Sequence, residues 1–301
     1  MTHFVTDGGL ETDLIFHHGF DLPEFAAFPL LADARGRSQL NSYYAGYAAI
    51  AAELGVGLQL DTPTWRANPD WGARLGYDAA ALASVNRDAV DLVRALAAEW
   101  SDRIDDIRIS GLLGPRGDGY VPGAAVDPDE AADYHNPQVA AFAAAGVDLV
   151  SALTLSDVGE AVGVVRAARE AGVAVLISFT VETDGRLPTG LTLAEAITAT
   201  DEVAAPDSFM VNCAHPDHVR RGLAEAGPWD RVHGLRVNAS DLSHEELDAM
   251  TELDDGDPQD LAIAHSHLED LLPSVHVVGG CCGTDARHIE AIWRNRLSQQ
   301  G

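Results

Sequence analysis

The 301-residue sequence has no lysine: all 19 of its basic residues are arginine, set against 47 acidic ones, for a net charge of −28. A surface this negative repels phosphate backbones and anionic lipid, which disfavours nucleic-acid binding and docking on a membrane surface. Long apolar runs are missing too; none approaches the ~18 residues that a membrane-spanning helix needs. Met1–Gly9 does not show the basic segment followed by an apolar stretch that marks a secretory leader, so a soluble, cytoplasmic protein is the expectation. Cysteine is scarce, with only Cys213, Cys281 and Cys282. An odd number makes a poor disulfide set, and adjacent cysteines pair only with strain. So few thiols, placed beside glycines, point instead to metal binding or catalysis.

What is present suits a large folded core: 47% of residues are hydrophobic and 22% charged. The acid excess without lysine has two readings. A GC-rich genome writes Arg and Ala freely; a salt-rich cell interior favours surface carboxylates that hold water while salt screens their repulsion. GC bias accounts for Arg in place of Lys but not for 47 acids.

Short apolar strands alternate with amphipathic helices along the chain. Strands are expected at Phe4–Val5, Gly57–Asp61, Ile107–Leu113, Val147–Ala152, Val173–Phe179, Ser208–Val211, Val232–Val237 and Val275–Val278. Helices are expected at Ser42–Leu54, Asp78–Trp100, Asp129–Ala145, Val158–Ala171, Leu193–Thr200, His215–Ala226, Pro258–Leu271 and Thr284–Arg296. Eight strand–helix units with no composition break, in a length close to the ~250 residues of one α/β barrel, predict a single (β/α)₈ TIM-type barrel domain over 1–301. In such a barrel the active site lies at the C-terminal ends of the strands, so the residues just after each strand carry the information.

Cys213 follows the sixth strand, and Cys281–Cys282 follow the eighth within Gly279–Gly280–Cys281–Cys282–Gly283. The barrel brings both strand ends to one rim. Three thiolates there make a three-ligand zinc site with an open fourth position, as in catalytic rather than structural zinc; the plain alternative is three buried, inert thiols. Zinc held by sulfur takes a further soft ligand, and a thiol brought to it loses its proton. Attack on an activated electrophile follows, with methyl transfer from an onium donor as the leading candidate.

These residues resemble the zinc-dependent homocysteine S-methyltransferase family over almost the whole chain. Asp7–Gly8–Gly9–Leu10–Glu11–Thr12 resembles the family's opening motif, Gly114–Pro115 with the loop to Tyr120 its strand-three loop, and Gly146–Val147–Asp148–Leu149 its approach to strand four. Ser178–Phe179 with Thr189–Gly190 resembles its strand-five region, while Asn212–Cys213 and the Gly-Gly-Cys-Cys-Gly run match its zinc motifs. The resemblance implies a (β/α)₈ barrel, Zn²⁺ on Cys213, Cys281 and Cys282, and methyl transfer from a small-molecule onium donor (S-methylmethionine, S-adenosylmethionine or betaine) to a thiol acceptor, by default homocysteine giving methionine. The chain leaves no room for added folate and cobalamin domains, so methyltetrahydrofolate is a poorer fit as donor. No feature specifies an oligomeric state.

One departure stands out. The family's Phe-Glu-Thr after strand four, whose Glu holds the substrate ammonium, reads here Ala152–Leu153–Thr154. Leucine neither accepts a hydrogen bond nor balances a charge, so either another acid takes over or the thiol lacks an amino group. Asp61 and Glu182, at other strand ends, are the candidate replacements; a hydrogen bond to loop backbone is the plain role for each. Asp61 opens Asp61–Thr62–Pro63–Thr64–Trp65–Arg66, which also differs from the family's Thr-Asn-Thr-Tyr run. Asp7 is placed to hold the substrate ammonium, with the Gly8 and Gly9 amides offered to its carboxylate; a simple Asp-Gly turn is the alternative. Trp65 and Arg66 are pocket candidates, the indole suiting an onium cation, although Trp is more often core. Arg116–Gly117–Asp118 reads as an ordinary glycine turn, His265 and His267 as surface residues of a helix, and Glu252–Asp257 as a solvated acidic loop ending in a cap for the helix at Pro258. The same zinc chemistry on another thiol, an onium demethylation, and a zinc- or thiol-binding barrel without turnover are the alternative functions.

Overall fold

The computed structural model describes residues 2–121 and 123–299. Eight parallel strands close into a barrel in the order in which they occur along the chain. They are β1 (Phe4–Val5), β2 (Gly57–Asp61), β3 (Ile107–Leu113), β4 (Leu149–Leu155), β5 (Ala174–Phe179), β6 (Ser208–Asn212), β7 (Val232–Val237) and β8 (Val277–Gly280). Closure is made by β1, which pairs Phe4 with Gly57 of β2 on one side and with Val277 of β8 on the other. The fold is the (β/α)₈ barrel expected from the alternation.

Helices surround the barrel, and the acid excess helps to start them. Asp33, Asp78, Asp127, Asp157 and Asp257 are all N-caps whose carboxylates accept first-turn amides, and the expected cap at Pro258 is among them. Gly55, Gly146 and Gly172 end three of these helices in the left-handed conformation. The outer core packs Tyr44, Phe28, Phe142 and Trp293 between helices and strands. Among the described residues no helix is long and apolar enough to cross a membrane.

Several boundaries differ from those expected. The first long helix begins at Ala34 rather than Ser42, because Asp33 caps it. The helix after β6 stops at Gly222 instead of Ala226. β4 runs from Leu149 to Leu155, past Ala152, with a register irregularity between Ala152 and Leu155. Three short helices carry too little periodicity to be read from sequence: Leu10–Thr12, Pro69–Arg74 and His244–Asp248. His265, expected at the surface, is buried with its ring 3.7 Å from Glu269, while His267 is exposed. That helix packs heavily on the last one, which covers the face carrying His265.

Side chains on alternate strand positions fill the barrel interior, as the pleat requires. Its lower part is apolar, with Phe4, Leu149, Leu176, Met210 and Val277 in one cluster together with Leu153. Buried polar groups accompany them. Arg108 donates to Gln59 (2.9 Å), Gln59 donates to Asp61 (3.1 Å), and Ser110 donates to Ser151 (2.7 Å).

Candidate active site

Cys213, Cys281 and Cys282 converge as the topology requires: their sulfurs lie within 4.8 Å of one another, with Cys213 and Cys282 3.6 Å apart. The Cys213 amide donates to the Arg236 carbonyl (3.0 Å) and the Cys281 amide to the Val237 carbonyl (2.8 Å), so β7 fixes both cysteine loops from between them. Cys213 adopts φ +56°, a left-handed conformation that is costly for a residue with a β-carbon. Thr154, φ +66°, does the same directly after Leu153. Asn212 braces both strained turns. Its Oδ1 accepts from the Thr154 amide (2.8 Å) and the Ser178 hydroxyl (2.6 Å), and its Nδ2 donates to the Thr154 hydroxyl (2.8 Å).

Gly8 and Gly9 serve the packing of this rim. A β-carbon at Gly9 would lie 2.5 Å from the Cys281 carbonyl oxygen, and one at Gly8 2.7 Å from that of Thr284. Only glycine lets the loop after β1 lie against the two-cysteine loop. The Gly9 amide, expected to face a substrate carboxylate, instead donates to the Thr284 carbonyl (2.9 Å).

Tyr120 closes the cysteine cluster from the loop after β3, its hydroxyl 2.9 Å from the Cys213 sulfur. Burial holds the phenol well above its ordinary range, and the nearby Cys213 sulfur adds to this. Hydrogen bonds with Cys281 and Cys282 pull the Cys213 thiol well below its own. When Cys213 is a thiolate its sulfur can only accept, and the phenol is then the donor. Tyr120 stacks on His244 at 4.1 Å between ring centroids. His244 is clamped between the Cys213 carbonyl (2.6 Å, Nε2) and Glu182 (2.7 Å, Nδ1). Burial alone would lower its pKa, but the hydrogen bonds to Cys213 and Glu182 push it up to about 10, so both ring nitrogens donate. Glu182 thus orients a histidine behind the thiols and does not border either chamber described below.

Asp61, the other candidate replacement for the missing glutamate, is also occupied. Arg236 enters the barrel from β7 and reaches Asp61 and Asp7, each at 2.6 Å. Its remaining hydrogens go to the Gly8 carbonyl (3.1 Å), the Gly280 carbonyl (3.0 Å) and the Thr6 hydroxyl (3.3 Å). Burial opposes the guanidinium charge, and the two carboxylates more than offset it. Four hydrogen bonds and the ion pair with Asp7 commit Arg236 to the protein. Asp7 takes a further hydrogen bond from Tyr43 (3.2 Å); it borders the cavity, whereas Asp61 does not.

The cavity has two chambers. The inner one, about 60 Å³, is bordered by the three cysteines, Asp7, Glu11, Tyr120 and the apolar Leu10, Leu112 and Leu153. At ~10–15 Å³ for each water-sized group, it suits the reacting end of a small thiol. The outer one, about 370 Å³, adds Phe16, Arg66, Asn238, His244, Asp248 and Met250. Thr12, Phe25, Trp65, Tyr120 and Cys282 border both. Trp65 is held by an indole hydrogen bond to the Leu153 carbonyl (3.3 Å), and Arg66 lies between the Trp65 and Trp71 rings at 4.0 and 3.7 Å. The buried Asn238 Oδ1 has no partner among the described residues. Arg116–Gly117–Asp118 forms the turn expected of it, with Asp118 accepting from the Tyr120 amide (2.8 Å).

Residues 4–295 match the model of the homocysteine S-methyltransferase family. The chain belongs to that family. It is a methyltransferase, and its fold is that of the homocysteine methyltransferase MmuM from Escherichia coli. The metallated form of that protein superposes with a TM-score of 0.73 at 19% identity, covering 98% of this chain and 96% of the other. The oxidized form gives 0.76 at 18% identity over 99% and 96%. A family member with three convergent thiols has a side-chain set able to hold a metal ion.

Arg236, Tyr120, His244 and Glu11 acquire their places only in the folded chain. Arg236 was the most legible of them, being the one charged side chain between Leu235 and Val237 in a strand otherwise suited to burial. A buried arginine demands acids nearby, and Asp7 follows β1 while Asp61 ends β2 on the same rim of the barrel.

Proposed function

We propose that this chain is a zinc-dependent S-methyltransferase that moves a methyl group from a sulfonium or ammonium donor to homocysteine, giving methionine. The observation that carries the proposal is the convergence of Cys213, Cys281 and Cys282 at the base of a two-chambered cavity. An all-sulfur, three-ligand set fits Zn²⁺ with a position left for a substrate thiol. When bound, Zn²⁺ supplies the positive charge that makes such a thiol acidic near neutral pH.

The chain's own residues account for the rest. The Tyr120 hydroxyl donates to the Cys213 sulfur and draws charge from one ligand, while His244 fixes the carbonyl of the same residue. Acceptor sulfur enters the inner chamber, and the onium donor enters the outer one, where Phe16, Phe25 and Trp65 offer aromatic surface to a cation. The acceptor sulfur attacks the methyl carbon. The bond from that carbon to the donor heteroatom breaks, its electron pair stays on the heteroatom, and the donor leaves with one positive charge fewer. The thiol proton has passed to solvent. A negative and a positive centre cancel in this step, so a weakly polar cavity walled by Leu10, Leu112, Leu153 and Trp65 favours it over the same reaction in water. The composition and the small-molecule substrates fit a cytoplasmic enzyme with no nucleic-acid or membrane partner.

The test is to load the purified chain with zinc, supply homocysteine with S-methylmethionine, S-adenosylmethionine or betaine in turn, and look for methionine by mass spectrometry. Methionine formation that disappears in Cys213→Ser is expected. No methylated product with any donor overturns the proposal.

A further inference from the structure

We infer that Glu11, on the short helix after β1, is the residue that holds the ammonium group of the amino-acid thiol, in place of the strand-four carboxylate that Leu153 has replaced. This inference rests on the thiol-methyltransferase reading above and names the substrate contact within that site.

Two acids border the inner chamber, Asp7 and Glu11. Asp7 is committed: one oxygen lies 2.6 Å from Arg236 and the other takes the Tyr43 hydroxyl. Glu11 receives neither a hydrogen bond nor an ion pair from any other described side chain, although it borders the same space as the three cysteines. Burial pushes its pKa up to about 7, opposed by a hydrogen bond from its own backbone amide and by the charges of Arg236 and Arg66, with Asp7 adding to the rise. A carboxylate withdrawn from water with no cation beside it is unfavourable, and a ligand cation removes that cost.

The surrounding charges select the sign. Two carboxyl groups, Asp7 and Asp61, face the single guanidinium of Arg236 beside the chamber, so acids outnumber cations there. Glu11 is a third carboxyl group at the same place. Arg236 also borders the chamber, but its guanidinium is already held by four hydrogen bonds and the ion pair with Asp7, so it is committed to the protein before any ligand carboxylate arrives. The chamber thus favours a cationic group on the molecule that brings its sulfur to the cysteines. Glu11 borders this chamber and not the outer one, which separates it from the space assigned to the onium donor. Leu153 borders the inner chamber as well, so the two positions face the same space, one from the helix after β1 and one from β4.

The experiment compares the binding of L-homocysteine and 4-mercaptobutanoate to the zinc-loaded chain by titration calorimetry without donor. The second thiol keeps the sulfur and the carboxylate but lacks the amino group. The native chain should prefer homocysteine by roughly ten- to hundredfold, the worth of one charged hydrogen bond. Glu11→Gln should remove most of that preference, and Glu11→Asp, which keeps the charge on a shorter arm, should retain part of it. Absence of a preference in the native chain overturns the inference, as does a preference that survives Glu11→Gln. So does a Glu11→Gln chain that loses affinity for the onium donor while its thiol preference stays. Should Glu11→Gln fail to fold, the native comparison and Glu11→Asp still decide. Binding is read without turnover, so the two proposals fail separately: methylation with no role for Glu11 sinks this inference alone, whereas an intact ammonium preference without methylation sinks the catalytic reading alone.

Discussion

Arg236 forms ion pairs with Asp7 and Asp61 at once, each across 2.6 Å, and so ties β7 to the ends of β1 and β2 through the middle of the barrel. Removing the guanidinium would leave two buried carboxylates facing each other. Breaking a buried ion pair by taking away one partner costs about 3–5 kcal/mol, so Arg236→Met should lose stability on that scale in urea denaturation. Asp61→Asn should lose less, because Asp7 still balances the cation. Equal, small losses in both variants would show that water reaches the cluster and screens it.

Glu11 makes stability depend on pH in a definite direction. Its pKa in the folded chain is pushed up to about 7 by burial, against an ordinary 4.5. A raised carboxyl pKa means that the folded state binds more protons than the unfolded one between these values, so this group's contribution falls as pH rises from about 4.5 through about 7. Below 4.5 the contribution is fully present. Glu11→Gln should therefore melt a few degrees above the native chain at pH 8, with the gap closing toward pH 5. A gap independent of pH would mean that Glu11 is well solvated.

The eight strands were legible because each is a short apolar run between glycine or acid-rich turns, and the thiol site was legible because barrel topology alone brings the ends of β6 and β8 together. The substrate end of the cavity was not. Asp61 reads from sequence as a strand-end acid free for substrate or loop backbone, yet it points inward on an alternating strand and meets an arginine from five strands further on. Glu182 reads the same way and instead lies against His244, which belongs to a five-residue helix too short to show a period. Glu11 sits inside the quoted motif Asp7–Thr12, but its side chain gains meaning only once Asp7 is seen to be occupied.

Metal content gives a direct check on the thiol set. One zinc per chain is expected, with affinity lost in Cys213→Ser and in the Cys281→Ser, Cys282→Ser double variant. Tyr120→Phe should keep the metal, because the phenol contacts a ligand sulfur and is not itself one of the three thiols. Atomic absorption on the dialysed proteins decides; full zinc in the triple serine variant would place the metal elsewhere.

The net charge of −28 has its own consequence. Mutual repulsion among surface acids is screened within ~3 Å at 1 M salt, against ~10 Å at 0.1 M. The melting midpoint should therefore climb between 0.1 M and 2 M KCl. A flat or falling midpoint would favour the genomic explanation of the arginine content.

The last prediction joins the two positions that border the inner chamber. If Glu11 holds the ammonium, a carboxylate restored at position 153 should be able to replace it, since Leu153 faces the same space. In the Glu11→Gln background, Leu153→Glu should recover at least about tenfold of the lost homocysteine affinity, the lower end of what a charged hydrogen bond contributes. On the native background the same change sets a second unpaired carboxylate near Glu11 and Asp7. Like charges at that range keep one of them protonated, so Leu153→Glu alone should add little affinity and lower the melting midpoint, more at pH 8 than at pH 5. The readout is a double-variant cycle in homocysteine dissociation constant, run beside 4-mercaptobutanoate as the thiol without an amino group. Recovery confined to homocysteine means that one ammonium is reached from both positions. Equal gains for both thiols would mean that position 153 acts through cavity shape, and no recovery would place the amino group away from β4.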